Sequence, residues 1–239
     1  MSGHSHWAGI KHRKGINDAK RAKIFTKHGK IITIAAREGG GDPETNFKLR
    51  LEIDRARFEN MPKENIERAI KRGTGELKDG AQIEEVIYEA YGPGQVAMLI
   101  KTATDSKNRT LGEIKTILTK NGGKGVPAGS VSFLFKLMGG ISVSSEENMD
   151  QYEMEMKAIE AGAEDTNYAD SILTLYVKSE ELQRVKENLE SRGLKIESAG
   201  LVYVPLQKAV ISEEEQKSYE KLLELLDDQD DVQEIYDNL

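Results

Sequence analysis

Residues 17–41 read NDAKRAKIFTKHGKIITIAAREGGG, and their pattern predicts one long helix over residues 17–38. At about 100° per residue, the apolar positions fall on one arc and the basic positions on the neighbouring arc. The apolar arc holds Ile24, Phe25, His28, Ile31, Ile32 and Ala35. The basic arc, called the basic stripe below, holds Lys20, Lys23, Lys27, Lys30 and Arg37, with Ile34 lying among them. Three consecutive glycines end the helix because they place few restrictions on the backbone.

Positive charge is concentrated in the first 37 residues. They contain nine Lys or Arg and one acidic residue, together with all four histidines and the only tryptophan. The whole chain of 239 residues has a formal net charge of −7, so the remaining 202 residues carry −15. A chain that collects its cations at one end is suited to approach a polyanion in one orientation, and nucleic acid is the polyanion that this predicts.

The predicted nucleic-acid contacts lie on the first helix and in the segment before it, residues 1–14, which is called the N-terminal arm below. Lys and Arg neutralise phosphates, while Trp7 and His12 are able to stack on exposed bases. The predicted contact residues are Trp7, Lys11, His12, Arg13, Lys14, Lys20, Arg21, Lys23, Lys27, Lys30 and Arg37. Two alternatives stay open: that the stripe is an ordinary solvated helix face, and that Trp7 is a buried anchor of the core.

Two further helices are predicted in the N-terminal part. Asp42 is predicted as the N-cap of a second helix that has Pro43 in its first turn and runs to Glu59. A short third helix is predicted to begin at Pro62 and to end at Gly73 to Gly75. Residues 1–75 are therefore predicted to form a basic helical domain with a net charge of +8.

The remaining 164 residues alternate strand-like and helix-like segments. Strands are predicted at 83–91, 95–104, 130–136, 140–144, 171–177, 194–204, 208–211 and 232–236. Gly92-Pro93-Gly94 is predicted to join the first two as a hairpin turn. Helices are predicted after residue 105, around 149–159, around 182–189, and after a capping box formed by Ser212 and Glu215. Gly122-Gly123-Lys124-Gly125 lacks the spacing of a phosphate loop and is interpreted as a flexible connector.

The predicted fold class is α+β, with a helical N-terminal domain followed by two α+β domains. Residues 76–131 and 206–239 are predicted to form one discontinuous α+β domain. Residues 132–205 are predicted to form the other, inserted into the first, with ferredoxin-like βαβ elements.

Several functional classes find no support in the sequence. The chain has no cysteine, and His4-x-His6 with His12 lacks the spacing of a metal site, so no metal or cofactor is predicted. Asp227-Asp228-Gln229-Asp230-Asp231 lacks the glycine and final glutamate of a calcium loop and is interpreted as a solvated acidic turn. No catalytic constellation stands out, so an enzyme is not predicted. Without a secretory signal or an apolar run of about 18 residues, a cytoplasmic protein is expected.

Collinear strings along the chain are similar to the YebC family. They include Gly3-His4-Ser5-His6-Trp7, Gly39-Gly40-Gly41-Asp42-Pro43, Asn60-Met61-Pro62-Lys63-Glu64, Tyr88-Glu89-Ala90-Tyr91-Gly92-Pro93-Gly94 and Asn108-Arg109-Thr110. The resemblance covers essentially the whole chain, and one departure is His6, where the family usually has Lys. It implies three domains and a non-enzymatic role in gene expression, described for members either as DNA-binding transcription regulation or as ribosome-associated translation.

Two functions therefore stay open at this point: a DNA-binding transcriptional regulator, and a translation factor whose basic arm contacts ribosomal RNA. Both need phosphate neutralisation, and the link at residues 39–41 joins helices too long for a compact helix-turn-helix. The acidic α+β part is expected to face a protein partner rather than nucleic acid, and the chain is expected to be a monomer.

Deletion of residues 1–14 is expected to leave the thermal unfolding temperature nearly unchanged and to reduce nucleic-acid affinity. This segment has few apolar residues and a high charge density, so little of it is suited to burial. Calorimetry and a binding titration check the two parts. A large drop in unfolding temperature would show instead that Trp7 or Ile10 anchors the core.

Overall fold

A computed structural model describes residues 18–77, 82–145, 149–169 and 172–239. Within these ranges the helices are α1 (Asp18–Gly39), α2 (Phe47–Phe58), α3 (Lys63–Gly73), α4 (Lys107–Lys120), α5 (Gln151–Ala161), α6 (Leu182–Ser191) and α7 (Glu213–Asp227). The strands are β1 (Glu84–Tyr91), β2 (Ala97–Thr104), β3 (Lys124–Val126), β4 (Phe135–Ser145), β5 (Asp165–Ala169), β6 (Ile172–Val177), β7 (Leu194–Pro205) and β8 (Val232–Asp237). The predicted α+β class with a helical N-terminal region is confirmed.

The described residues divide into two compact units. The first combines the described residues up to Phe135 with Pro205–Leu239, and the second is Lys136–Val204. The first unit is thus discontinuous in sequence. The domain boundaries predicted at residues 75, 131 and 206 stay predictions.

Helix α1 buries two different apolar faces. Ile32 and Ala35 pack with Leu49 and Ile53 of α2 and with Ile66 of α3, as the apolar arc predicted. Ile34, the apolar residue within the basic stripe, is also fully buried, and it packs with Ile31 and with Ala103 of β2. The stripe therefore borders a packed interface with the sheet.

Helix α2 begins four residues later than predicted. Asp42 lies in a turn, and its carbonyl oxygen accepts a hydrogen bond from the backbone N–H of Asn46. Asn46 is the N-cap: its Oδ1 accepts from the Leu49 N–H at 3.0 Å, and its Nδ2 donates to the carbonyl oxygens of Ala35 and Gly40, each at 2.8 Å. A Cβ atom at Gly39 would lie 2.6 Å from that Nδ2, so the glycine leaves room for the cap.

The first unit contains a four-stranded sheet in the order β3-β1-β2-β8. Strands β1 and β2 form the predicted hairpin, in which Glu84 pairs with Thr104 and Tyr91 with Ala97. In the core against this sheet, Met98 and Ile100 of β2 pack with Ile114 and Leu118 of α4 and with Leu222 of α7. The predicted capping box of Ser212 and Glu215 is present at the start of α7.

The second unit contains a four-stranded sheet in the order β5-β6-β4-β7, built from a β-α-β-β-α-β succession. This succession is the ferredoxin-like pattern that the sequence indicated. Residues 140–144 are a strand, as predicted, but the separate strand predicted at 130–136 is wrong, because Ser132–Leu134 form a 3-10 turn and β4 runs unbroken from Phe135 through Gly139 and Gly140. A Cβ atom at Gly139 would lie 2.8 Å from Val177 Cγ2, so this glycine permits close packing rather than a turn.

Three further segments differ from the strands that the sequence predicts. The predicted connector contains β3, which pairs with β1. Strand β5 was not predicted because its residues, DTNYA, are largely polar, as is common in edge strands. Residues 208–211 form no strand.

Replacement of Asn46 by Ala is expected to lower the free energy of unfolding by about 2–3 kcal/mol, because the cap, the buried bond to the Ala35 carbonyl and the more exposed bond to the Gly40 carbonyl are lost together. Ser at the same position keeps a capping oxygen and is expected to recover about 1 kcal/mol. Urea denaturation of the three proteins measures both effects. Wild-type stability in the Ala variant would contradict this role of Asn46.

Candidate nucleic-acid interface

The structure describes part of the predicted contact set. Trp7, Lys11, His12, Arg13 and Lys14 lie outside the described residues, and so does the side chain of Lys20. The remaining residues, Arg21, Lys23, Lys27, Lys30 and Arg37, all lie on α1. Arg21 is exposed, and Arg37 Nη1 donates a hydrogen bond to the carbonyl oxygen of Ile83 at 2.7 Å.

The three described stripe lysines contact the acidic turn, residues 227–231, at the C-terminal end of α7. Gln229 holds this turn in shape, since its Oε1 accepts from the N–H groups of Asp231 and Val232 at 2.6 and 2.9 Å. Its Nε2 donates to Glu113 of α4 at 2.6 Å. The turn predicted as solvated is therefore partly covered by α1 and α4.

Each of these lysines bonds both a carboxylate and a backbone carbonyl of the turn. Lys23 Nζ donates to the carbonyl oxygen of Asp228, and it also donates to the Oδ1 atom of Asp228 at 2.9 Å. Lys27 Nζ lies 2.7 Å from the carbonyl oxygen of Asp227. Cations are favoured here because the last carbonyls of a helix have no partner within it and carry partial negative charge.

Asp231 is the most deeply held carboxylate of the turn, with a side chain that is 5% exposed. Oδ1 accepts from Lys30 Nζ at 2.6 Å, while Oδ2 accepts from Arg109 Nη2 at 2.9 Å and from Thr110 Oγ1 at 2.7 Å. Burial alone would raise the pKa of Asp231, but the hydrogen bonds from Lys30, Arg109 and Thr110 outweigh it and lower the pKa well below its usual range.

A second buried ion network joins α2 to the sheet. Glu234 of β8 lies opposite Lys101 of β2, with their charged atoms 3.1 Å apart. Arg55 Nη1 of α2 lies 3.2 Å from the same carboxylate, and Tyr236 Oη donates to it at 2.7 Å. Burial raises the pKa of Glu234, yet the charges of Lys101 and Arg55 prevail and lower it to about 2.

His28 lies beside this second network and is neutral. Burial lowers its pKa to about 4, and the neighbouring positive charge of Arg55 acts in the same direction. Sequence reasoning missed the network because its members come from α2, β2 and β8, where each reads as an ordinary surface charge. The weak signal was a charged residue in the middle of each of the two short strands.

A cleft of about 750 Å³ lies between α1, the start of α4 and the acidic turn. Its lining includes Lys23, Thr26, Lys30, Arg109, Asp228 and Asp230. Within the described ranges, no group of three or more His, Cys, Asp or Glu side chains is arranged to hold a metal ion. The described helices likewise include none that is both long and apolar enough to cross a membrane.

Comparisons with known proteins cover nearly the whole chain. Residues 5–76 match the family model described as "TACO1/YebC protein N-terminal domain", and residues 83–239 match "TACO1/YebC second and third domain". A relative from Persephonella marina is 50% identical over all of this chain and 95% of its own length, and one from Halothermothrix orenii is 48% identical over all of this chain and 94% of its own. Both are named "Probable transcriptional regulatory protein".

A solved structure is similar in fold and sequence. It is the crystal structure of a conserved hypothetical protein from Aquifex aeolicus, with a TM-score of 0.90 and 46% identity. The match covers 98% of this chain and 96% of that one.

Replacement of Glu234 by Gln is expected to lower the free energy of unfolding at pH 7 by about 1.5–3 kcal/mol, because Lys101 and Arg55 then lose their shared carboxylate. The loss is limited because the two cations keep Glu85 and Glu52, respectively, as acidic partners. The pKa of Glu234 is lower in the folded protein than its ordinary value of 4.5. Its contribution is therefore complete above pH 4.5 and is lost as the pH falls towards 2. The deficit of the variant should shrink over that range.

Denaturant titrations at several pH values measure the deficit. Glu67→Gln is the matched control, since Glu67 is exposed and pairs with the exposed Lys63 at 3.7 Å. It should stay within about 0.5 kcal/mol of wild type. A Glu234 deficit that does not change with pH would contradict the assignment of a lowered pKa.

Proposed function

Because this chain belongs to the TACO1/YebC family, as its sequence resemblance predicted, we propose that it is a non-enzymatic regulator of gene expression that binds DNA. The observation that carries the proposal is the one-sided charge: nine Lys or Arg and one acid in the first 37 residues of a chain with net charge −7. The names of the relatives, which describe probable transcriptional regulatory proteins, support the same conclusion. Such a regulator would act in the cytoplasm.

Because the described stripe lysines are already paired with aspartates, we expect nucleic acid to bind mainly at the N-terminal arm. Lys23, Lys27 and Lys30 are already engaged by carboxylates of the acidic turn. The arm cations Lys11, Arg13 and Lys14 extend the same charge beyond α1. We therefore assign first contact with phosphates to the arm and to Arg21.

One feature of the helical region favours DNA over RNA. Helices α2 and α3 are joined by the four residues 59–62, a length used in helix-turn-helix units, and Asn60 adopts a left-handed backbone with φ of 62°. The link at residues 39–41 lies between α1 and α2 and is not part of this unit. Lys63, Arg68 and Lys71 of α3 are exposed, and in this proposal they contact DNA phosphates.

The acidic remainder of the chain suits a protein partner better than a phosphate backbone. Residues 76–239 carry a formal charge of −15. Like charges repel over about a Debye length, near 8 Å at physiological salt. We propose that this part contacts a protein of the transcription machinery.

Neutralising the arm in the full chain by K11Q/R13Q/K14Q is expected to weaken DNA binding. The slope of log affinity against log salt should become shallower by about 2–3, because about 0.9 of a counterion is released per phosphate neutralised. Fluorescence anisotropy with duplex DNA over a salt series measures both quantities. The matched control is K208Q/K217Q/K221Q, which removes the same charge at exposed positions of the acidic part.

An unchanged salt slope in the arm variant would overturn the proposal. The same titration with a structured ribosomal RNA fragment separates the two candidate functions. Markedly tighter, arm-dependent binding of RNA would replace transcription regulation by the translation role.

A further inference from the structure

The ion pairs between α1 and the acidic turn differ in how deeply they are buried. The side chains of Asp228 and Asp230 are 79% and 78% exposed, and their Oδ1 atoms lie 2.9 and 3.2 Å from Lys23 Nζ. Asp231, bound to Lys30, is 5% exposed. Exposed pairs contribute about 0–1 kcal/mol, whereas loss of one partner of a buried pair costs several. The Lys23 end of the contact is therefore exchangeable, and the Lys30 end is fixed.

The exchangeable end lies in the cleft. Lys23 and both exposed carboxylates are part of its lining, and so are Thr26 and Arg109. The Arg109 side chain is about half exposed, and it also pairs with Asp105 at 2.9 Å. The cleft thus presents an ammonium and a guanidinium, but only the ammonium of Lys23 has exposed carboxylates of the turn as its acidic partners, whereas Arg109 is also held by the buried Asp231.

Carboxylate and phosphate oxygens accept hydrogen bonds from the same donors. Lys acts towards either as a point charge with three N–H groups. A phosphate of a nucleic acid held by the arm would meet Lys23 before Lys27 and Lys30, because Lys23 is nearest to the arm in sequence. It would compete there with the two weakest pairs of the contact.

We propose that Asp228 and Asp230 occupy a phosphate-binding position on Lys23 in the unbound protein, and that a phosphodiester of bound nucleic acid displaces them. Lys30, Arg109 and Asp231 stay paired and keep α1 on the sheet. This inference rests on the proposed function and adds a regulatory step to it. A polymer already bound by the arm is expected to displace the aspartates more readily than a free small anion, because its phosphates are held near Lys23 at a high effective concentration.

The test compares D228N/D230N with wild type in the full chain, using the duplex DNA and salt series described above. Removal of both carboxylates from Lys23, with its bond to the Asp228 carbonyl kept, is expected to raise affinity about three- to tenfold at 0.15 M salt and to steepen the log–log slope by about 0.9. The matched control E213Q/E214Q removes the same charge at the other end of α7, where both side chains are exposed. It should change affinity by about twofold at most.

A double-mutant cycle with Lys23 tests whether the gain in affinity depends on that lysine. On a K23Q background, D228N/D230N should give no more gain than the control substitutions do. An equal gain with and without Lys23 would overturn the inference, since the aspartates would then act only through net charge. The single variant D230N serves as the check if the double variant unfolds, and it should show a smaller gain in the same direction.

Failure of this inference is distinguishable from failure of the proposed function. If wild type binds DNA through the arm but D228N/D230N behaves like the control, the displacement is wrong and the proposed function stands. If K11Q/R13Q/K14Q binds as wild type does, with the same salt slope, the proposed function fails, and the inference fails with it.

Discussion

The buried carboxylate of Asp231 links several elements of the first unit. Its two oxygens accept from Lys30 of α1 and from Arg109 and Thr110 of α4, while its backbone carbonyl accepts from the N–H of Ala103 in β2 at 2.8 Å. Such a group is stable as an anion only while its donors are in place, since an unpaired buried charge is costly. The positions of α1 and α4 are therefore coupled through one side chain.

The second network repeats this principle three residues further along the chain, in β8. Glu234 pairs with Arg55 of α2 and with Lys101 of β2. The helical region is therefore attached to the sheet by two acids of one short segment, Asp231 and Glu234. Ile31 and Ile34 fill the space at the adjoining face of α1 with apolar contact to Ala103. Apolar packing provides the contact area, and the two carboxylates restrict how the helices are placed on it.

Local patterns predicted most elements of the fold. The periodicity of α1, the Gly92-Pro93-Gly94 hairpin and the capping box of α7 each act within a few residues, so the sequence displays them directly. Errors arose where tertiary contacts override local signals. Asn46 replaced Asp42 as the cap because it also reaches Ala35 and Gly40, and the glycines of β4 serve packing rather than a turn.

The candidate interface was predictable in composition but not in its contacts. Both the stripe lysines and the acidic turn stood out in the sequence, and each was interpreted alone as a solvated or nucleic-acid-facing group. Their pairing joins residues about 200 positions apart, for example Lys27 and Asp227. The periodicity of a single helix or strand does not indicate which distant residue a side chain will pair with. The whole predicted set of nucleic-acid contacts, from Trp7 to Arg37, stays a prediction.

The distance in sequence between α1 and its counter-charges has a consequence for synthesis. A chain is made from its N-terminus, so α1 emerges well before the acidic turn that follows α7. Contacts of such long sequence separation form late in folding. During most of its elongation the nascent chain therefore displays Lys23, Lys27 and Lys30 without the aspartates that engage them in the finished protein.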